Sequence, residues 1–365
     1  MTAPEPDRLA DLPTPSLVLD EVRLGRNIAE MAAFAAERGL ALRPHVKTHK
    51  SVEIARHQVA AGAAGITVAT LNEAEIFAAA GFTDIFIAYP LWLDADKTAR
   101  LRRLLEASPA GAGPLLIGID STEGAERAAQ AAAGLLDRLA VLVEIDSGHH
   151  RSGVPAREAA SVATAAAQAG LDVAGVFTFP GHSYSPAGRR AAAADEAREL
   201  AAAVAALAGV GVTARIVSGG STPSAEFADA SVLTEIRPGV SVFRDAQQWE
   251  LGMSAPDEIA LTVQATVVSR RGDHLIADAG SKVLGVDRGS FSTGFGRLLD
   301  YPEARITALS EHHATITGLD LPAGSRITVV PNHVCIAVNL ADEYVVVRGG
   351  TVIGRWPVDA RGANT

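Results

Sequence analysis

The stretch Arg43-Pro44-His45-Val46-Lys47-Thr48-His49-Lys50 sets basic side chains two residues apart. If it ends a β-strand, the two-residue alternation puts Arg43, His45 and Lys47 on one face. Cationic neighbours and low dielectric both lower a lysine's proton affinity, which frees the amine for Schiff-base formation. Lys47 is the candidate nucleophile, while His49 and Lys50 lie beyond the strand and read as solvent-exposed. The plainer reading makes the whole segment a basic loop that docks an anion.

Three other places carry chemistry. Ser218-Gly219-Gly220-Ser221-Thr222 and Arg237-Pro238-Gly239 are small-residue loops whose backbone N–H groups can approach a phosphate, although a glycine pair is often only a turn. In Asp146 to Gly153 and Gly181-His182-Ser183-Tyr184, Arg151 is suited to a phenolate or carboxylate oxygen. His182 and Tyr184 are suited to proton transfer or ring contact; ordinary loop polarity is the alternative. In Asn332-His333-Val334-Cys335, a strand would send His333 and Cys335 to the same side. They would be two ligands of an open site for a borderline-soft divalent ion such as Zn²⁺, with water and substrate oxygens completing it. A buried cysteine beside a core histidine is the simpler account.

These residues need a frame. Apolar, β-branched runs at Ala41 to Lys47, Gly65 to Thr70, Asp84 to Tyr89, Leu115 to Asp120, Ala140 to Asp146, Asp172 to Phe179, Ala214 to Gly220 and Thr234 to Val242 alternate with Ala-rich helical stretches. That rhythm predicts a TIM-type (β/α)8 barrel. A doubly wound sheet is the rival, but no GxGxxG follows the first strand. Every candidate except the His-x-Cys pair then falls after a barrel strand, on the C-terminal rim. After about residue 250 strands follow one another without helices: Glu258 to Arg271, His274 to Ala279, Arg305 to Thr317, Arg326 to Leu340 and Glu343 to Val358. This predicts a second, mostly antiparallel β domain. Ser16 to Asp20 is one strand too many for the barrel and is assigned to that domain, giving a barrel at 21–249 and a β domain of 1–20 plus 250–365.

Composition narrows the partners. The 365 residues are 48% hydrophobic and 20% charged with a net charge of −10, an ordinary globular balance without a basic surface for nucleic acid. Asp195, Glu196, Arg198 and Glu199 interrupt the longest Ala-rich span, so it is not a membrane helix. A lone cysteine, Cys335, forbids an intrachain disulfide and suits a reducing compartment. The polar, Pro-rich start is not expected to be a secretory signal, and cytoplasmic residence is the default.

Together these segments resemble the fold-type III pyridoxal-phosphate enzymes related to alanine racemase, in their D-threonine aldolase and D-serine dehydratase branch. The likeness runs through Thr14-Pro15-Ser16-Leu17-Val18-Leu19-Asp20, the Arg43 to Lys50 box, the Ser-Gly-Gly-Ser-Thr loop and the Pro-Asn-His-x-Cys segment. It implies that Lys47 carries pyridoxal 5′-phosphate, with Arg151 near its phenolate. The phosphate would fall to Ser218, Gly219, Gly220, Ser221, Thr222 and Gly239, with Tyr184 beside the cofactor. It also implies a divalent metal (Zn or Mn) on His333 and Cys335, and a homodimer. The cofactor would act as an electron sink for a Cα carbanion and the metal as a Lewis acid on a β-hydroxyl. Two reactions on β-hydroxy-D-amino acids follow: retro-aldol cleavage to glycine and an aldehyde, which leads, and dehydration to a 2-oxo acid and ammonia, by a D-serine or D-3-hydroxyaspartate dehydratase. The catalytic base is left among Lys47, His182 and a metal-bound hydroxide. A racemase would need a second base such as a β-domain tyrosine, and neither Tyr301 nor Tyr344 sits in a matching motif.

Overall fold

The computed structural model describes residues 8–365. Its parallel sheet has eight strands, Ala41–Leu42, Ile66–Val68, Ile85–Pro90, Leu115–Ile119, Leu139–Glu144, Asp172–Phe177, Ile216–Gly219 and Glu235–Ile236. From Ile66–Val68 onward each pairs with the next in the chain, and Glu235–Ile236 pairs with Ala41–Leu42. The remaining edge is closed by a parallel bridge between His45 and Thr67, flanked by the Ala64 N–H to Leu42 C=O and Thr67 N–H to Pro44 C=O bonds. This is the expected TIM-type barrel. Leu115–Ile119 and Leu139–Glu144 are buried along their whole length, as strands are when helices cover one side and a packed interior fills the other. Side-chain caps start several helices: Thr70 accepts from Glu73 N–H, Asp94 from Lys97 N–H and Ser121 from Gly124 N–H. Each satisfies an amide that the first turn leaves unpaired.

The second sheet is mostly antiparallel and built on Leu261–Arg271, which pairs with Ser16–Asp20, His274–Ala277 and Arg326–Pro331. Ser16–Asp20 also pairs, in parallel, with Glu343–Arg348. One apolar cluster fills this sheet's core, with Leu19, Val263, Ile316, Val329, Tyr344 and Val346 fully buried. Contacts divide the described chain into two compact units, one of residues up to 30, 48–57 and 240–362, the other of 31–47, 58–239 and 363–365. As a division into domains we propose 21–249 and 1–20 plus 250–365, because it follows sheet membership. Residues 1–7, on which part of that division and of the N-terminal leader reading falls, lie outside the described residues.

Three expectations are corrected. The first barrel strand stops at Leu42, and Val46–Thr48 is a 3₁₀ turn, so Arg43, His45 and Lys47 do not alternate along a strand. Pro44 has no N–H to continue the ladder. Second, His49 and Lys50 are buried. The His49 carbonyl accepts from the Tyr344 hydroxyl, and that of Lys50 accepts from Ala360 N–H. Third, the strand Arg326–Pro331 ends at proline and Val334–Leu340 is a helix with His333 at its N-cap. Val334, Ala337 and Val338 are its buried residues, at helical rather than strand spacing.

Candidate active site

Phe179, two residues past the strand Asp172–Phe177, is the centre of the barrel site. Lys47 Nζ lies 5.9 Å from its ring centroid and the Arg151 guanidinium carbon 5.2 Å. The His149 ring stands edge-on to it at 5.4 Å, and the Tyr184 ring is tilted at 6.5 Å. Lys47, Arg151 and Tyr184, remote in sequence, therefore meet at the C-terminal ends of the strands, where barrel enzymes carry their chemistry. Lys47 is half-buried and Arg151 exposed. Sequence reasoning missed Phe179, although an aromatic just before Gly181-His182 was the available signal.

His182 lies beside this group. Its Nε2 is 3.4 Å from Asp195 Oδ2, its ring nitrogens make no hydrogen bond, and its ring lies where a side chain on Gly148 would begin. His149 is held below its ordinary proton affinity by burial and by the charges of Arg151 and His182. Below Arg151 sits Glu144, buried at the end of Leu139–Glu144 and bonded by the Ser152 hydroxyl at 3.0 Å. Burial pushes its carboxyl up to about 6, against the Ser152 hydrogen bond and the Arg151 charge. A glutamate closing an otherwise apolar strand was visible in the sequence but went unused.

The two small-residue loops are shaped from within. Glu235 accepts from Arg43 Nε at 2.9 Å and from the Ser218 hydroxyl at 2.5 Å. Arg237 donates to Ser218 Oγ and to the Thr178 carbonyl. The basic face inferred for Arg43 is thus neutralised by Glu235 and Asp84, and the Ser218 hydroxyl is committed to the barrel interior. The Gly220 N–H donates to Glu196 at 2.7 Å. Glu196, one of the charges in the Ala-rich span, is fully buried, and burial pushes it up to about 7. Ser221 joins a hydroxyl cluster with Ser183 and Ser224. In this structure the Ser218 hydroxyl and the Gly220 amide are thus bonded to other groups of the barrel, as is the Ser221 hydroxyl. A Cβ on Gly219 would overlap the Glu196 carboxylate and come within 2.9 Å of Leu233 Cδ2, so a larger residue there must displace both side chains.

The His-x-Cys pair belongs to the other unit. His333 caps the helix Val334–Leu340, and its ring hydrogen-bonds Cys335. The helix start, not a strand, brings the two together. Asp245 holds this start: one oxygen accepts from Gln248 N–H at 2.9 Å, the other from Val334 N–H at 3.3 Å. Burial pushes Asp245 up to about 6. The other side of the His333 ring meets Asp287, Nδ1 to Oδ2, at 2.8 Å. Burial works against charge on His333, but Cys335, Asp287 and Asp245 together hold its proton affinity well above the ordinary value. Cys335 Sγ is 3.5 Å from Thr48 Oγ. Among the described residues no three His, Cys, Asp or Glu side chains form a metal cage. Tyr344 is fully buried, its hydroxyl donates to the His49 carbonyl, and burial raises its proton affinity well above normal. It is unsuited to serve as a base.

The alanine racemase N-terminal domain model matches residues 19–247, and the serine dehydratase domain model matches 260–347. The chain belongs to the alanine racemase N-terminal domain family. A D-threo-3-hydroxyaspartate dehydratase of a Delftia species is 36% identical over 90% of this chain and 92% of that protein. A D-threonine aldolase of an Arthrobacter species is 35% identical over 98% of this chain and 94% of its own. The crystal structure of a D-threonine aldolase from Filomicrobium marinum superposes with a TM-score of 0.89 at 33% identity, covering 100% of both chains. The Delftia dehydratase has also been solved as a cysteine-to-alanine variant in the metal-free form, with a TM-score of 0.87 at 34% identity over 96% and 99% of the two chains. Pyridoxal phosphate is the cofactor expected of this family. No helix among the described residues is long and apolar enough to cross a membrane.

Proposed function

We propose that this protein is a pyridoxal-phosphate- and divalent-metal-dependent lyase that cleaves β-hydroxy-D-amino acids to glycine and an aldehyde, as a D-threonine aldolase does. The observation that carries the reading is Lys47 and Arg151 on one aromatic ring, Phe179, at the barrel's C-terminal rim, in a chain matching a D-threonine aldolase along its full length. The residues fit the groups. A primary amine and a guanidinium stand at the rim on one aromatic ring. A histidine and a cysteine in contact supply a nitrogen and a sulfur donor.

Lys47 would hold the cofactor through its amine, Arg151 would donate to the phenolate oxygen, and Tyr184 would pack beside the ring. Ser221, Thr222 and Gly239 would receive the phosphate on the loop that Ser218, Gly219 and Gly220 shape. His333 and Cys335 would hold the metal. Bound, the two groups supply an electron sink for Cα and a Lewis acid for the substrate hydroxyl. Lys47 and His182 are the side chains assigned to move protons; Asp195, 3.4 Å from His182 Nε2, steadies that imidazole. The Tyr344 hydroxyl, pinned to the His49 carbonyl, is not placed to act as the second base of a racemase. Manganese or zinc as the metal, a homodimer and a cytoplasmic location complete the proposal, the last supported by the lone cysteine.

A second reading, dehydration of D-3-hydroxyaspartate or D-serine to a 2-oxo acid and ammonia, is favoured by the Delftia relative and by the His-x-Cys pair. Product analysis with D-threonine, D-serine and D-3-hydroxyaspartate separates the two: glycine plus aldehyde supports the aldolase, 2-oxo acid plus ammonia the dehydratase. Underlying both, the purified protein should carry a borohydride-reducible pyridoxal linkage that Lys47→Ala removes. A variant that keeps the linkage sinks the reading.

A further inference from the structure

Asp287 is the carboxylate hydrogen-bonded to the His333 ring, and the proposed chemistry does not use it. Its carboxylate accepts from His333 Nδ1 at 2.8 Å. The segment that carries it is tied down by the residue next to His333: buried Asn332 donates from Nδ2 to the Asp287 carbonyl at 3.1 Å and to Ser292 Oγ at 3.3 Å. Consecutive residues thus grip Asp287 twice, Asn332 by its backbone and His333 by its carboxylate. An imidazole has two nitrogens, and a partner on one decides which is left to donate its lone pair to a metal. With Nδ1 committed to Asp287, that nitrogen is Nε2, on a ring that also contacts Cys335.

We propose that Asp287 is a positioning residue for the metal centre: it fixes the His333 ring, keeps the proton on Nδ1 and presents Nε2 to a divalent cation. The inference rests on the metal reading above and goes beyond it by assigning a third residue that is not a ligand. Carboxylates hydrogen-bonded to ligating histidines orient the ring and raise its basicity, and their loss typically weakens metal affinity about 10- to 100-fold. The backbone grip by Asn332 does not need the Asp287 side chain, so a substitution there removes the carboxylate without freeing the segment.

The test is metal affinity rather than turnover. Mn²⁺ and Zn²⁺ binding to the pyridoxal-loaded protein is measured by competition with a chromogenic chelator, followed to millimolar metal. The proteins are wild type, Asp287→Ala, Asp287→Asn, His333→Ala and the Asp287→Ala/His333→Ala double variant. Asp287→Ala should weaken binding about 10- to 100-fold, and Asp287→Asn, whose Oδ1 still accepts from Nδ1–H, should recover most of the loss. In the His333→Ala background, Asp287→Ala should change nothing further, because it acts only through that ring. Unchanged affinity in Asp287→Ala overturns the proposal, and so does a loss that persists without His333, which would make Asp287 a ligand itself. If His333→Ala alone leaves affinity unchanged, the metal assignment to His333 falls first and takes this inference with it.

Discussion

Glu196→Gln gives a pH-dependent test of how the phosphate-side loop is built. Glu196 is fully buried, with Oε1 accepting from Gly220 N–H at 2.7 Å and Oε2 without a hydrogen-bond partner. Burial raises its carboxyl from an ordinary 4.5 to about 7, against the Gly220 hydrogen bond and the Arg237 charge. Between those values the folded chain binds a proton that the unfolded chain has released. Stability is therefore fully retained below 4.5 and lost as pH rises toward 7, with the penalty complete above it. At about 1.4 kcal/mol per pH unit, the penalty is about 1 kcal/mol at pH 5 and about 3 kcal/mol at pH 8. Glutamine keeps the acceptor for Gly220 and never ionises, so it mimics the protonated acid at every pH. Glu196→Gln should thus gain about 2 kcal/mol over wild type between pH 5 and pH 8, read as a difference in unfolding midpoints by denaturant or heat. An offset identical at both pH values refutes the reasoning, for it would mean that Glu196 does not change protonation across that interval in the folded protein.

Two further outcomes can be checked directly. Gly219→Ala should destabilise by roughly 1–3 kcal/mol and weaken pyridoxal phosphate binding in a cofactor titration, because the new Cβ displaces the Glu196 carboxyl that fixes Gly220 and presses on Leu233. Exhaustive chelation should abolish turnover while leaving the borohydride-reducible linkage intact, since His333 and Cys335 belong to a different unit from Lys47; full activity after chelation would remove the metal from the mechanism.

Much of the scaffold was legible in the residues. All eight barrel strands fall within one or two positions of the apolar runs at their N-terminal ends, because a parallel strand buried on both faces has to be apolar throughout. The errors fell where a short segment answers to more than one rule. Val334 to Leu340 reads as a β-branched run, yet Pro331 ends the strand and the spacing of Val334, Ala337 and Val338 fits a helix equally well. Pro44 likewise cut short the strand on which the alternation argument for Lys47 rested.

By itself the sequence determined the barrel rhythm, the second sheet and the residue types at Lys47, Arg151, His333 and Cys335, since periodicity and side-chain chemistry are local properties of the chain. Tertiary structure alone decided what those residues face. It set Phe179 between Lys47 and Arg151, turned the Ser218 hydroxyl and the Gly220 amide inward, buried Glu196 and brought Asp287 to His333. Each of these joins positions tens of residues apart, and a proton affinity or a hydrogen-bond partner is fixed by the surroundings that packing creates.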